Sequence, residues 1–148
     1  MKGIIFDTNI FRKIIDGLIN LEDIKKIKEK NNFISFTTHI QMDELNSCKD
    51  IELKTELLKI FKEIEQEFIP TEGIVFDTSK FNMANFSNNN LLDEIKNDNP
   101  KNIEDALIGA TAIKNNLILV TNDKNLKNKV IKNGGKAIDL KEFKEILN

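Results

Sequence analysis

A single cysteine, a single histidine and a single arginine occur in this chain of 148 residues, which has neither tryptophan nor tyrosine. The lone Cys48 excludes an intramolecular disulfide, and with only His39 to join it a zinc site is short of soft ligands. No apolar run approaches the roughly 20 residues that span a bilayer, so no membrane partner is expected. Met1-Lys2-Gly3 runs straight into a short apolar stretch ending at Asp7, which is not a secretory leader. A cytoplasmic protein is the expectation. Neither sign of charge dominates: the net charge is -2, so the overall balance does not mark a polyanion binder.

What is present is a soluble composition, with 40% hydrophobic and 31% charged residues. That length and mixture predict one domain with one core, covering residues 1–148. Apolar runs at 3–6, 33–36 and 117–120, a weaker one at 137–138 and a further short one at 73–76 read as strands. They are continuous rather than alternating, as in a parallel sheet buried on both faces. Helical stretches fall between them, at 10–19, 21–30, 38–47, 51–68, 91–97, 103–115, 123–133 and 141–147. Such alternation predicts an α/β domain with helices on both sides of the sheet. Thr38 with Gln41 forms a capping box, Asn102 reads as the N-cap of a helix with Asp105 at its third position, and Gly134-Gly135 closes another helix. The Asn-rich stretch 82–90 reads as a loop or frayed helix.

Four acids stand where strands hand over to helices: Asp7 in IIFDTNIF, Glu44 in TTHIQMDEL, Asp105 in NIEDALIGATA and Asp123 in LILVTNDKNL. In an open parallel sheet, ligands bind outside the carboxyl ends of the strands. If the strands before Asp7 and Asp123 are neighbours, these two carboxylates share a crevice. Each alone also reads as an ordinary turn or N-cap aspartate. Glu44 falls on the same helical arc as Ile40, Leu45 and Cys48, whereas Asp43 points away; a glutamate there either finds a partner or reaches solvent. Asp105 opens a helix that is apolar nearly all round, so its start should face the crevice, although the helix dipole favours an acid there in any case. Like charges gathered together repel unless a cation sits among them. Four scattered carboxylates are what a chain needs to hold a hard divalent cation against a phosphodiester. From Lys114 to Lys136, six lysines face the single acid Asp123. They read either as a phosphate-gathering stretch or as solubilising surface.

In the order FDTN, an acid early in the third helix, DALIGATA and then TND, the chain resembles the PIN-domain ribonucleases, and among them the toxins of VapBC-type toxin–antitoxin pairs. The resemblance implies a three-layer α/β/α sandwich with a central, mainly parallel sheet. It implies a metal-dependent endoribonuclease in which Asp7, Glu44, Asp105 and Asp123 bind one or two Mg²⁺ or Mn²⁺ ions, with Asn9 and Thr121 as polar supports. An RNA substrate, a small antitoxin and a homodimer are the partners it implies. RNA contacts then fall to Arg12, Lys13, Lys124 and Lys127, and any base stacking to phenylalanines such as Phe81 or Phe86. The segment 70–100 departs from the compact toxin pattern and reads as a substrate or partner surface, or as an insertion.

Three other readings compete. A phosphatase of the haloacid dehalogenase class needs a second aspartate where Asn9 stands, and asparagine cannot shuttle its proton. A receiver domain needs paired acids at the first strand and a phosphoacceptor after the third, and neither is evident. A PIN-like module that processes RNA without toxicity, or only binds RNA or protein, differs from the nuclease in having no need of all four acids.

Overall fold

Ile4, Ile5 and Phe6 are consecutive and all fully buried, so the first strand is covered on both faces. The computed structural model describes residues 2–71 and 102–146. Among these the order is β1 (Lys2–Phe6), α1 (Asn9–Ile15), α2 (Leu21–Asn31), β2 (Phe33–Thr37), α3 (His39–Asn46), α4 (Ile51–Glu63), β3 (Glu67–Phe68), α5 (Asn102–Lys114), β4 (Ile118–Val120), α6 (Lys124–Lys132), β5 (Lys136–Ile138) and α7 (Leu140–Glu145). The expected strand at 73–76, the Asn-rich stretch 82–90, the helix at 91–97, and Phe81 and Phe86 lie outside the described residues.

The five strands form one sheet in the order β3-β2-β1-β4-β5, and every pairing is parallel. Side chains alternate across it. Ile5 and Leu119 enter a core with Leu107 and Ile108 of α5 and with Leu126 and Val130 of α6. Ile4, Phe6 and Val120 enter the opposite core, with Phe11 of α1, Ile24 and Ile27 of α2, Phe61 of α4 and Phe143 of α7. Helices therefore cover both faces, as the alternation predicts. Among the described residues no helix is long and apolar enough to cross a membrane.

Three boundaries differ from expectation. The helix from residue 10 stops at Ile15, because the chain turns left-handed at Gly17 (φ 84), a conformation that glycine adopts without steric cost. The helix expected over 51–68 stops at Glu63, and residues 67–68 form an edge strand instead. Lys28 Nζ donates to the carbonyls of Ile64 (2.5 Å) and Glu65 (3.1 Å), and Ser35 Oγ also donates to Glu65 O (3.2 Å). These distant donors take up the last carbonyls and draw the chain alongside β2. α5 begins one residue earlier than expected, at Asn102. The expected stop after α6 is present: Gly134 has φ 87 and Gly135 N–H bonds Val130 O at 2.8 Å.

Candidate functional site

Strand order directs attention to one place. From β1 the chain crosses to β2 on one side, while β4 pairs on the other, so the connections after β1 and β4 diverge and leave a crevice at their carboxyl ends. Asp7 and the Thr121–Asp123 turn both emerge there.

Asp7 continues the ladder by one bond, its N–H donating to Val120 O at 2.9 Å. Its side chain is buried, only 3% exposed, which is unusual for an ordinary turn aspartate. Thr8 occupies the N-cap position of α1. The fully buried Thr121 donates from Oγ1 to Asp7 Oδ2 at 2.7 Å and accepts from Asp123 N–H at 3.0 Å. One hydroxyl hydrogen and one lone pair thus join the two aspartate segments. Within the same turn Asn122 Oδ1 accepts from Leu140 N–H (2.9 Å), tying the turn to α7. Asp123 caps α6, with Oδ1 accepting from Leu126 N–H at 3.1 Å. The ordinary capping role therefore does apply to this acid.

On the other flank, Glu44 is half-buried and Asp43 exposed, as the helical arc predicts. Thr8 Oγ1 donates to Glu44 Oε1 at 2.7 Å, across 36 residues. The helix α3 that carries Glu44 is fixed by Gln41, whose side chain is fully buried. Its Oε1 completes the capping box by accepting from Thr38 N–H (3.0 Å), while its Nε2 donates to Phe6 O (3.1 Å). Sequence reading recognised the capping box but not the reach to β1, and it passed over Thr8 inside FDTN.

Asp105 is half-buried near the start of α5. This helix turns back into β4 through Asn116, at φ 55. At about 1.5 Å per residue it outruns the short strand, so its first turn lies toward the carboxyl edge. Its buried Ala106, Leu107, Ile108, Ala110 and Ala112 bear out the expectation of a central helix.

Among the described residues, no three histidine, cysteine or acid side chains stand close enough together to hold an ion as they are arranged. Asp7, Glu44 and Asp123 instead accept hydrogen bonds from Thr121, Thr8 and the Leu126 amide. In kind the donors fit a hard cation, since all are carboxylate or hydroxyl oxygens.

The remaining residues singled out by sequence divide. Asn9 and Lys124 are exposed and Lys13 is half-buried. Arg12 pairs with Asp16 at 3.3 Å, one helical turn on. Lys127 bonds Glu142 and lies 3.5 Å from Asp139. The Glu142 hydrogen bond, with Asp139 adding to it, holds the Lys127 ammonium above the usual lysine range. Asp139 is held below its usual range, first by the Glu142 backbone and then by Lys127. The basic stretch does not converge on the acids: Lys114 ends α5 and Lys136 begins β5, at the opposite edge of the sheet. Lys141 and Lys144, not singled out by sequence, line a groove of about 530 Å³ with Leu18 and Asn122.

The sequence model of the PIN domain matches residues 4–132. The chain belongs to the PIN domain family. PIN domains are generally nucleases and typically bind divalent metals, and the three-layer fold with its five-stranded parallel sheet is that of a PIN domain. No curated protein matches the chain.

Proposed function

We propose that this PIN domain is a metal-dependent endoribonuclease, with Asp7, Glu44, Asp105 and Asp123 holding Mg²⁺ or Mn²⁺. One observation carries the reading. A hydrogen-bonded run from Glu44 through Thr8, and from Asp7 through Thr121 to Asp123, spans the carboxyl ends of β2, β1 and β4, and it includes a buried aspartate. Carboxylates brought to one edge of a sheet repel one another, and a cation among them relieves that repulsion. When bound, a divalent cation supplies charge neutralisation at the phosphodiester and acidifies water.

The chain's own residues do the rest. Asp7 and Asp105 are the first choice as direct ligands. Glu44 and Asp123 complete the shell or accept a proton from the attacking water. Thr121 fixes the carboxyl plane of Asp7. Asn9 supports the same edge, and Arg12, Lys13, Lys124 and Lys127 take backbone phosphates. Of these four, Arg12 is paired with Asp16 and Lys127 with Glu142.

The resemblance to VapC-type sequences extends the proposal to the toxin of a toxin–antitoxin pair, working in the cytoplasm as a homodimer restrained by a small antitoxin. A toxin arrests growth when expressed alone and is rescued by its antitoxin. Normal growth with active protein at high level contradicts that extension. The nuclease itself is tested by incubating purified protein with structured RNA and Mg²⁺ or Mn²⁺. Cleavage should require the metal and disappear in Asp7→Asn. Cleavage that survives EDTA or that substitution, or binding without cleavage in either metal, contradicts it.

A further inference from the structure

The residue before Asn9 forgoes its usual work. Thr8 occupies the N-cap position of α1, yet its backbone is helical (φ -54, ψ -35) and its side chain makes no capping hydrogen bond. A threonine there ordinarily turns its oxygen toward the amides of the first turn. In this chain the backbone carbonyls of Asp7 and Thr8 accept from the amides of Ile10 (3.0 Å) and Phe11 (3.2 Å). The hydroxyl is released to donate to Glu44 Oε1 at 2.7 Å. It has one hydrogen to give, and Glu44 receives it. Threonine is branched at Cβ and stiff about χ1, so the bond selects a rotamer at both ends. Half-burial of both side chains limits competition from water.

We propose that Thr8 is a positioning residue: its hydroxyl fixes the orientation of the Glu44 carboxylate at the edge where the cation would be held. This rests on the nuclease reading above. Thr8 is adjacent to Asp7, so one short turn places one carboxylate directly and orients a second, contributed by a helix 36 residues away. The spacing of Asp7 and Glu44 is thereby set from a single point of the backbone.

The test is Mn²⁺ affinity measured by calorimetry, together with kcat and KM for RNA cleavage. Thr8→Val keeps the shape and the branching but removes the donor. It should weaken Mn²⁺ binding about 10-fold or more, the usual size of such supporting contacts, and lower kcat while leaving KM for RNA near the wild-type value. Thr8→Ser restores the donor and should recover most of both. In a Glu44→Gln background the valine should no longer change Mn²⁺ affinity. Unchanged Mn²⁺ binding in Thr8→Val, or a serine variant as impaired as the valine, overturns the assignment of Thr8 and leaves the nuclease intact. Wild-type protein that binds no Mn²⁺ and cuts no RNA overturns both.

Discussion

Thr121 Oγ1 donates to Asp7 Oδ2 at 2.7 Å, joining residues 114 positions apart. The contact exists because β1 and β4 are parallel neighbours with Phe6 opposite Val120, so the residue following each strand meets its counterpart at the same level. Thr121 also accepts from the Asp123 amide at 3.0 Å, which makes a single hydroxyl the hinge between the first and last acids of the proposed quartet.

Replacing Thr121 by valine removes that hinge at constant volume. The carboxylate of Asp7 loses a donor and the Asp123 amide loses its acceptor. Thermal unfolding should show a loss of about 1–3 kcal/mol, and RNA cleavage should fall about 10- to 100-fold. Thr121→Ser should keep most of both. A valine variant with wild-type activity contradicts this role.

Gln41 makes a purely structural prediction. Its buried amide joins Thr38 N–H at the start of α3 to Phe6 O at the end of β1. Gln41→Leu fills the space but leaves both backbone groups buried without that partner, at a cost of about 1–3 kcal/mol each. Chemical denaturation should report a clear drop in midpoint. Because α3 carries Glu44, Mn²⁺ affinity should fall as well.

The cluster of Lys127, Asp139 and Glu142 gives a pH dependence. Asp139 has a lowered pKa in the folded chain, so its stabilisation is present above the unfolded aspartate range and is lost as pH falls through the folded value. Lys127, with its raised pKa, behaves inversely: its contribution is full below the unfolded lysine range and fades as pH rises through the folded value. Asp139→Ala should cost about 1 kcal/mol at neutral pH through loss of the α7 cap. In thermal melts the gap between it and wild type should narrow on acidification. A constant gap down to the acid limit contradicts the linkage.

Much of the architecture was legible because it depends on local pattern. Continuous apolar runs marked β1, β2 and β4, and the capping box at Thr38 and the glycines after α6 set boundaries by short-range chemistry. What was not legible depends on distant partners. The early end of α4 is imposed by Lys28 and Ser35, and nothing near Glu65 announces it. Gly17, by contrast, was a local stop signal passed over. At the site, Asp7 and Asp123 stand at the strand–helix junctions where the sequence places them, whereas Glu44 lies a turn into α3. The hydrogen-bond partners of these acids were not legible. Thr8 and Gln41 act across 36 and 35 residues, a pairing that only the parallel β1–β2 register creates. The basic stretch divides for the same reason: contiguity along the chain becomes separation across the sheet, with Lys114 at the end of α5 and Lys136 at the start of β5.

The proposed nuclease requires a divalent cation at the carboxyl edge of β1 and β4, held by Asp7, Glu44, Asp105 and Asp123. Crystals grown in Mn²⁺ and measured for anomalous scattering test it directly. The expected result is a peak within coordination distance of Asp7, with further oxygens from among Glu44, Asp105 and Asp123, and its loss in Asp7→Asn. A saturated crystal with no peak at that edge, or with Mn²⁺ bound only elsewhere, contradicts it.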